Sequence, residues 1–123
     1  MWSGKKTGVA VIEAESSLRR ACHEFGRDDL YEPLRWLVSL KPLWLDANLQ
    51  ALLNAKRYVI AANVMLFHSR DIEAREYLQK AMRSITPDSA RYRRLSTLLA
   101  NLNVASKIAR RSWELDGKIF AGS

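Results

Sequence analysis

Cysteine, histidine, proline and glycine are all scarce in this 123-residue chain, at one, two, three and five residues. A single cysteine, Cys22, cannot form an internal bridge, so a disulfide scaffold is excluded. With no secretory signal at the N-terminus, the expected compartment is reducing and cytoplasmic, with a peripheral membrane position left open. The histidines are His23 and His68, and together with Cys22 they lack the repeated ligand spacing of a zinc site. Few glycines and prolines argue against an all-β fold, which needs frequent turns, and for long helices. There is no long hydrophobic run. The longest nearly apolar stretch, Tyr58 to Phe67, contains Asn63 and has about half the length that a membrane-spanning helix needs. No Gly-x-Gly-x-x-Gly occurs, and Gly4-Lys5-Lys6-Thr7 has a Lys-Thr ending without a glycine-rich loop or a preceding strand. No cofactor or metal is expected.

Against these absences stand 48% apolar residues. A chain of this size buries about two-thirds of the surface its unfolded form exposes, enough for one core without disulfides or metals. The sequence divides into a flexible N-terminal segment (1–8), one helical domain (9–117) and a short tail (118–123). Val9, Ile12, Leu18, Ala21, Cys22 and Phe25 recur at helical spacing, and Gly26 follows as a left-handed cap. A strand at Val9 to Ile12 competes, but has no partner strand. Asp28 and Asp29 are caps for a second helix with Leu30, Leu34, Leu37 and Val38 inside and Trp36 a further candidate for that face, ended near Leu40 by Pro42. Asp46 then caps one long helix running to Phe67, apolar on two sides and therefore central. Asp71 caps a fourth helix with Ala74, Tyr77, Leu78, Ala81, Met82 and Ile85 on its face, stopped by Thr86-Pro87. Asp88 caps the last, whose stripe is Leu95, Leu98, Leu99, Leu102, Ala105, Ile108, Ala109 and Trp113, with Asn101 and Asn103 able to split it. The expectation is an all-α antiparallel bundle of five or six helices.

Two resemblances follow from the central residues. The stretch Ala55 to Ser89, with Tyr58, Ala61, Ala62, Met65, Ser69-Arg70-Asp71-Ile72-Glu73-Ala74, Leu78, Ala81 and Pro87, resembles a tetratricopeptide repeat. That resemblance implies right-handed helical hairpins whose small residues, Ala62 and Ala74, let two helices approach closely. Pro87 stands one residue late and Ala62 replaces the usual glycine. More broadly, Asp46 to Arg111 looks like the C-terminal helical region of bacterial family 2 glycosyltransferases. This second resemblance implies an accessory region beside a catalytic domain near a membrane. It carries no catalytic residue, since Asp28-Asp29 are adjacent and Asp71-Ile72-Glu73 opens a helix.

The chemistry-bearing residues support no catalytic set. Cys22 and His23 are neighbours, and neighbours on a helix point about 100° apart, so the imidazole does not face the thiol. Cys22 is assigned to the core and His23 to its edge. His68 is read as a capping residue at a helix C-terminus, where the helix dipole favours an imidazolium. The 20 Lys and Arg exceed the 13 Asp and Glu by seven, and five of that excess lie after Met82. Arg91, Arg94, Lys107, Arg110 and Arg111 are thus candidate partner contacts, with Trp44, set between Leu43 and Leu45, as a hydrophobic one. The function expected is a non-catalytic protein-interaction or scaffold module for an acidic or amphipathic partner segment. Alternatives are the glycosyltransferase accessory region against anionic lipid and a basic nucleic-acid-binding domain.

Overall fold

A computed structural model describes the backbone of residues 4–36 and 48–116, and the side chains from residue 13 onward within those ranges. The described residues are all-α, with no strand among them. Helix α1 is Gly4–Glu24, a 3-10 turn spans Asp28–Leu30, and residues 31–36 are helical and form α2. Then come α3 (Leu49–Asn54), α4 (Tyr58–Phe67), α5 (Asp71–Met82), α6 (Ala90–Ala100) and α7 (Leu102–Asp116).

Three differences from the sequence reading have clear causes. Helix α1 starts five residues ahead of Val9, so Val9 to Ile12 are helical rather than a strand. The lysines are good helix formers, and an internal glycine costs a helix only about 1 kcal/mol. The long helix expected to reach Phe67 is two helices, parted at Ala55-Lys56-Arg57, which adds one to the expected count. Its cap is not seen at Asp46, which lies outside the described residues; Asn48 caps α3, its Oδ1 accepting from the Ala51 N–H at 3.2 Å. The expected split of the last helix does occur, with Asn101 as the C-cap of α6.

The aspartates expected as caps stand elsewhere. Asp28 and Asp29 occupy the first turn of the 3-10 segment, and no side chain caps it. Asp71 is the first residue of α5, whose uncapped N-terminus follows Arg70. At α6 the cap is Ser89, not Asp88: its Oγ accepts from the Tyr92 N–H at 3.1 Å and donates to the Thr86 carbonyl at 2.7 Å. In each case an acid near a helix start still favours the helix dipole without making the capping bond.

One connector is used three times. Helix α1 ends with the Arg27 N–H on the Cys22 carbonyl (2.9 Å) and the Gly26 N–H on the His23 carbonyl (3.0 Å), with Gly26 at φ +66°. Helix α3 ends with Arg57 on Leu52 (2.8 Å) and Lys56 on Leu53 (3.0 Å), and α4 with Arg70 on Met65 (2.8 Å) and Ser69 on Leu66 (3.0 Å). This paired pattern satisfies the last free carbonyls and needs a left-handed residue at its centre. Glycine supplies that at the first site; Lys56 (φ +57°) and Ser69 (φ +59°) supply it under strain at the others. Each connector lets the next helix begin within four residues and fold back on the core.

Packing follows from the stripes. Helix α1 lies mainly on α7 and α4 on α5, and α4 also contacts α7, joining the two pairs into one bundle. Leu18, Ala21, Cys22, Leu30 and Leu34 are buried, as are Ala74, Leu78 and Ala81 of α5 and the α6–α7 stripe from Leu95 to Trp113, except for the half-buried Leu99. Helix α4 is buried on most sides, at Ile60, Ala61, Ala62, Asn63, Met65, Leu66 and Phe67, which makes it the central helix that its sequence indicated. Arg111 Nε on Glu24 Oε1 at 2.8 Å fastens α7 to α1, and Arg27, just past α1, donates to Oδ1 of Asn101 at the α6–α7 junction at 3.0 Å. No described helix is long and apolar enough to cross a membrane.

Candidate functional site

The break between α3 and α4 determines what the molecule can present. A helix running through residue 57 would place Lys56 and Arg57 in the apolar stripe three and four residues after Leu53. The left-handed turn at Lys56 instead brings both cations out beside the end of α5. A cleft of about 330 Å³ opens there. Its apolar lining is Val59, Ile60, Ala81 and Ile85, its aromatic members are Trp36 and Tyr58, and its cations are Lys56, Arg57 and Arg91. Ser84 completes it, its Oγ donating to the Ala81 carbonyl at 3.1 Å and keeping its lone pairs free to accept another donor. Among the described residues no carboxylate lines the cleft.

The rings and charges are already arranged around one another. The Arg91 guanidinium carbon stands 5.5 Å from the centre of the Trp36 ring, and Lys80 Nζ stands 5.5 Å from that of Tyr58 while pairing with Glu76 at 3.1 Å. By contrast, the side chains of Lys56 and Arg57 have no ion pair or hydrogen bond among the described residues. Helix α4 opens at this wall with no capping side chain and no acid in its first turn, so its free N–H groups add to the positive potential.

The residues singled out from the sequence divide among three places. Arg91 lines the cleft. Arg94 lines a neighbouring hollow of about 240 Å³ with Glu15, Glu32, Arg35 and Trp36, so Trp36 stands between the two. Arg110 and Arg111 are committed to α7 and α1: Arg110 lies 4.0 Å from Glu114, and Arg111 contacts Glu24 at 2.8 Å and Glu114 at 3.6 Å. The hydrogen bond from Arg111 holds the Glu24 carboxyl below its usual range. Lys107 is exposed on α7 and lines neither hollow. Trp44 lies outside the described residues.

Lys56, Arg57, Tyr58 and Trp36 were not among the contacts expected from the sequence, which gave Trp36 to the inner face of the second helix and Tyr58 to the repeat-like stretch. The signal was present as a gap: the stripe of Leu49, Leu52 and Leu53 resumes only at Ile60, and both positions that should continue it, 56 and 57, are cations.

The Cys22–His23 pair is no dyad. Cys22 is fully buried, and burial, aided by Asp28 and Asp29, raises its thiol pKa to about 11. The exposed His23 ring lies beside Asp28, Nδ1 to Oδ2 at 3.6 Å. His68 is the C-cap of α4, as expected, its backbone N–H on the Val64 carbonyl at 3.1 Å. Its ring sits edge-on to Trp113, 5.2 Å between centres, and burial, with Arg110 and Arg70 nearby, holds its pKa below the ordinary histidine value. Among the described residues no three His, Cys, Asp or Glu side chains gather as a metal site requires. In comparisons with family models, curated proteins and solved structures, nothing matches this chain.

Proposed function

We propose that this chain is a non-catalytic interaction module that holds an acidic or amphipathic segment of a partner protein in the cleft between α3–α4, α5 and α6. The observation that carries this reading is the lining: three cations and two aromatic rings around an apolar floor, with no acid among the described residues. Aromatic and arginine side chains are the residue types that dominate protein interfaces, and a floor of Val59, Ile60 and Ile85 suits an aliphatic or aromatic anchor beside the acid. The resemblance of residues 55–89 to a tetratricopeptide repeat belongs to this reading and is supported by Ala62 and Ala74, both fully buried on the two helices that pack together. The ion pairs of Arg110 and Arg111 weigh against a nucleic-acid surface along α7, since cations already paired release few counterions on meeting phosphate.

Photocrosslinking tests it. A benzophenone amino acid at position 85, on the cleft floor, is compared in cells with the same group at position 72, where Ile72 is exposed on α5 away from the cleft. The expected result is a discrete protein adduct from position 85 alone, mapped to an acidic segment and lost with Lys56→Glu. Identical adducts from both positions, or nucleic acid as the only adduct, would overturn the reading.

A further inference from the structure

We infer that the group bound at the cation wall of this cleft is a phosphorylated side chain rather than a carboxylate, an inference that rests on the interaction reading above. Three positive groups reach the cleft from different parts of the fold: Lys56 and Arg57 from the α3–α4 turn and Arg91 from the start of α6. Two are guanidinium forks, whose paired N–H groups match the oxygens of a phosphate, and the third is a point charge. Among the described residues Lys56 and Arg57 have no acid to satisfy them, and the described lining supplies none.

A single carboxylate brings one negative charge and two oxygens to this wall, leaving a formal excess of two. A phosphomonoester brings about −1.5 to −2 charges and three strong acceptor oxygens, so it engages all three cations and cancels most of the charge. The hollow is also local and concave. On α7, Arg110 and Arg111 are paired with Glu114 and Glu24, which leaves Lys107, outside the cleft, as that helix's single cation with no ion pair among the described residues, too few for a track along a nucleic-acid backbone. Arg94 faces a separate hollow holding Glu15 and Glu32. A phosphorylated protein segment, placing one dianion at the wall and an apolar neighbour on the floor, fits these features better than a polyanion.

Fluorescence polarisation with the full chain tests this. The probes are three degenerate heptapeptide pools, identical except for a central phosphoserine, glutamate or serine, and a single-stranded oligonucleotide. The phosphoserine pool is expected to bind at least tenfold more tightly than the glutamate pool, with inorganic phosphate competing. Lys56→Glu and Arg91→Glu each remove at least tenfold of that affinity. Arg75→Glu, the same charge change at an exposed α5 position outside the cleft, leaves it within twofold. Lys56→Gln and Arg91→Gln give intermediate losses, and circular dichroism confirms that every variant is folded. Equal binding of the phosphoserine and glutamate pools would overturn the phosphate assignment while leaving the acidic-partner reading standing. A loss with Arg75→Glu as large as with Lys56→Glu would overturn the cleft as the site. Tighter binding of the oligonucleotide than of any peptide, or failure of every peptide pool together with no position-85 adduct, would overturn both.

Discussion

Replacing Asn63 by leucine is expected to stabilise this protein. Asn63 lies in the middle of α4, fully buried, and neither its Oδ1 nor its Nδ2 has a hydrogen-bond partner among the described residues. A buried amide that exchanges water for no partner costs about 1–3 kcal/mol. Leucine branches at the same carbon and brings no polar atom, but its tetrahedral branch is bulkier. Near-isosteric swaps in a packed core cost up to about 1.5 kcal/mol. The net gain is then about 1–2 kcal/mol, and at roughly 4 °C per kcal/mol for a chain of this length the melting temperature rises by about 4–8 °C. Asn63→Ala separates the two effects, because it removes the amide but leaves a cavity, and its gain must be smaller. Asn63→Asp keeps the shape while burying an ionisable group, and must destabilise. Urea titration followed by circular dichroism reads all three, with an unchanged urea dependence showing that the two end states are the same. A loss of more than about 1 kcal/mol in Asn63→Leu would refute the reasoning. It would mean that the amide is bonded in the folded state and that α4 depends on it.

Three further outcomes can be checked. Lys56→Gly and Ser69→Gly should each stabilise by about 1 kcal/mol by relieving a left-handed backbone, read by the same titration, whereas Gly26→Ala should cost at least that much. The Gly26 cost would be conformational alone, since an added Cβ there meets nothing within 4 Å. Cys22, with its pKa raised to about 11, should react with a disulfide reagent at pH 8 at least a hundredfold more slowly folded than in urea, and comparable rates would place the thiol outside the core. Because the folded pKa of His68 lies below its unfolded value, the unfolded chain takes up the proton first as pH falls. Stability due to neutral His68 is therefore complete above about pH 6.5 and lost below it as pH approaches the folded value, so wild type should lose more stability than His68→Gln between pH 7.5 and about 5.5. Parallel curves would show that His68 is not the group responsible.

Much of the bundle could be read from spacing. The α5 face of Ala74, Leu78 and Ala81, the stripe from Leu95 to Trp113, the Gly26 cap and the break near Asn101 all appear where periodicity indicated, because each depends on contacts within a turn or two of the chain. The caps were misplaced by one or two residues. An acid next to a helix start looks like a cap in the sequence, but the capping bond depends on the backbone angles of one residue, and these favoured Asn48 and Ser89.

The cleft was less legible. Of the five expected contacts that lie among the described residues, Arg91 alone lines it, and its other charged and aromatic members, Lys56, Arg57, Tyr58 and Trp36, come from segments that the charge pattern did not join. Counting basic residues toward the C-terminus gave equal weight to Arg91 and Arg111, and nothing local distinguishes them. Their fates differ because Glu24, far away in sequence, packs against α7 and neutralises Arg111, while α2 brings Trp36 beside Arg91.

By itself, then, the amino-acid order determined that the chain is helical, which faces are buried, and that a thiol next to a histidine would be structural, since these follow from side-chain direction along a single helix. Tertiary structure alone decided which cations remain unpaired and where they meet. Coulombic pairing acts through space, and a left-handed turn at one lysine redirects the chain that carries them.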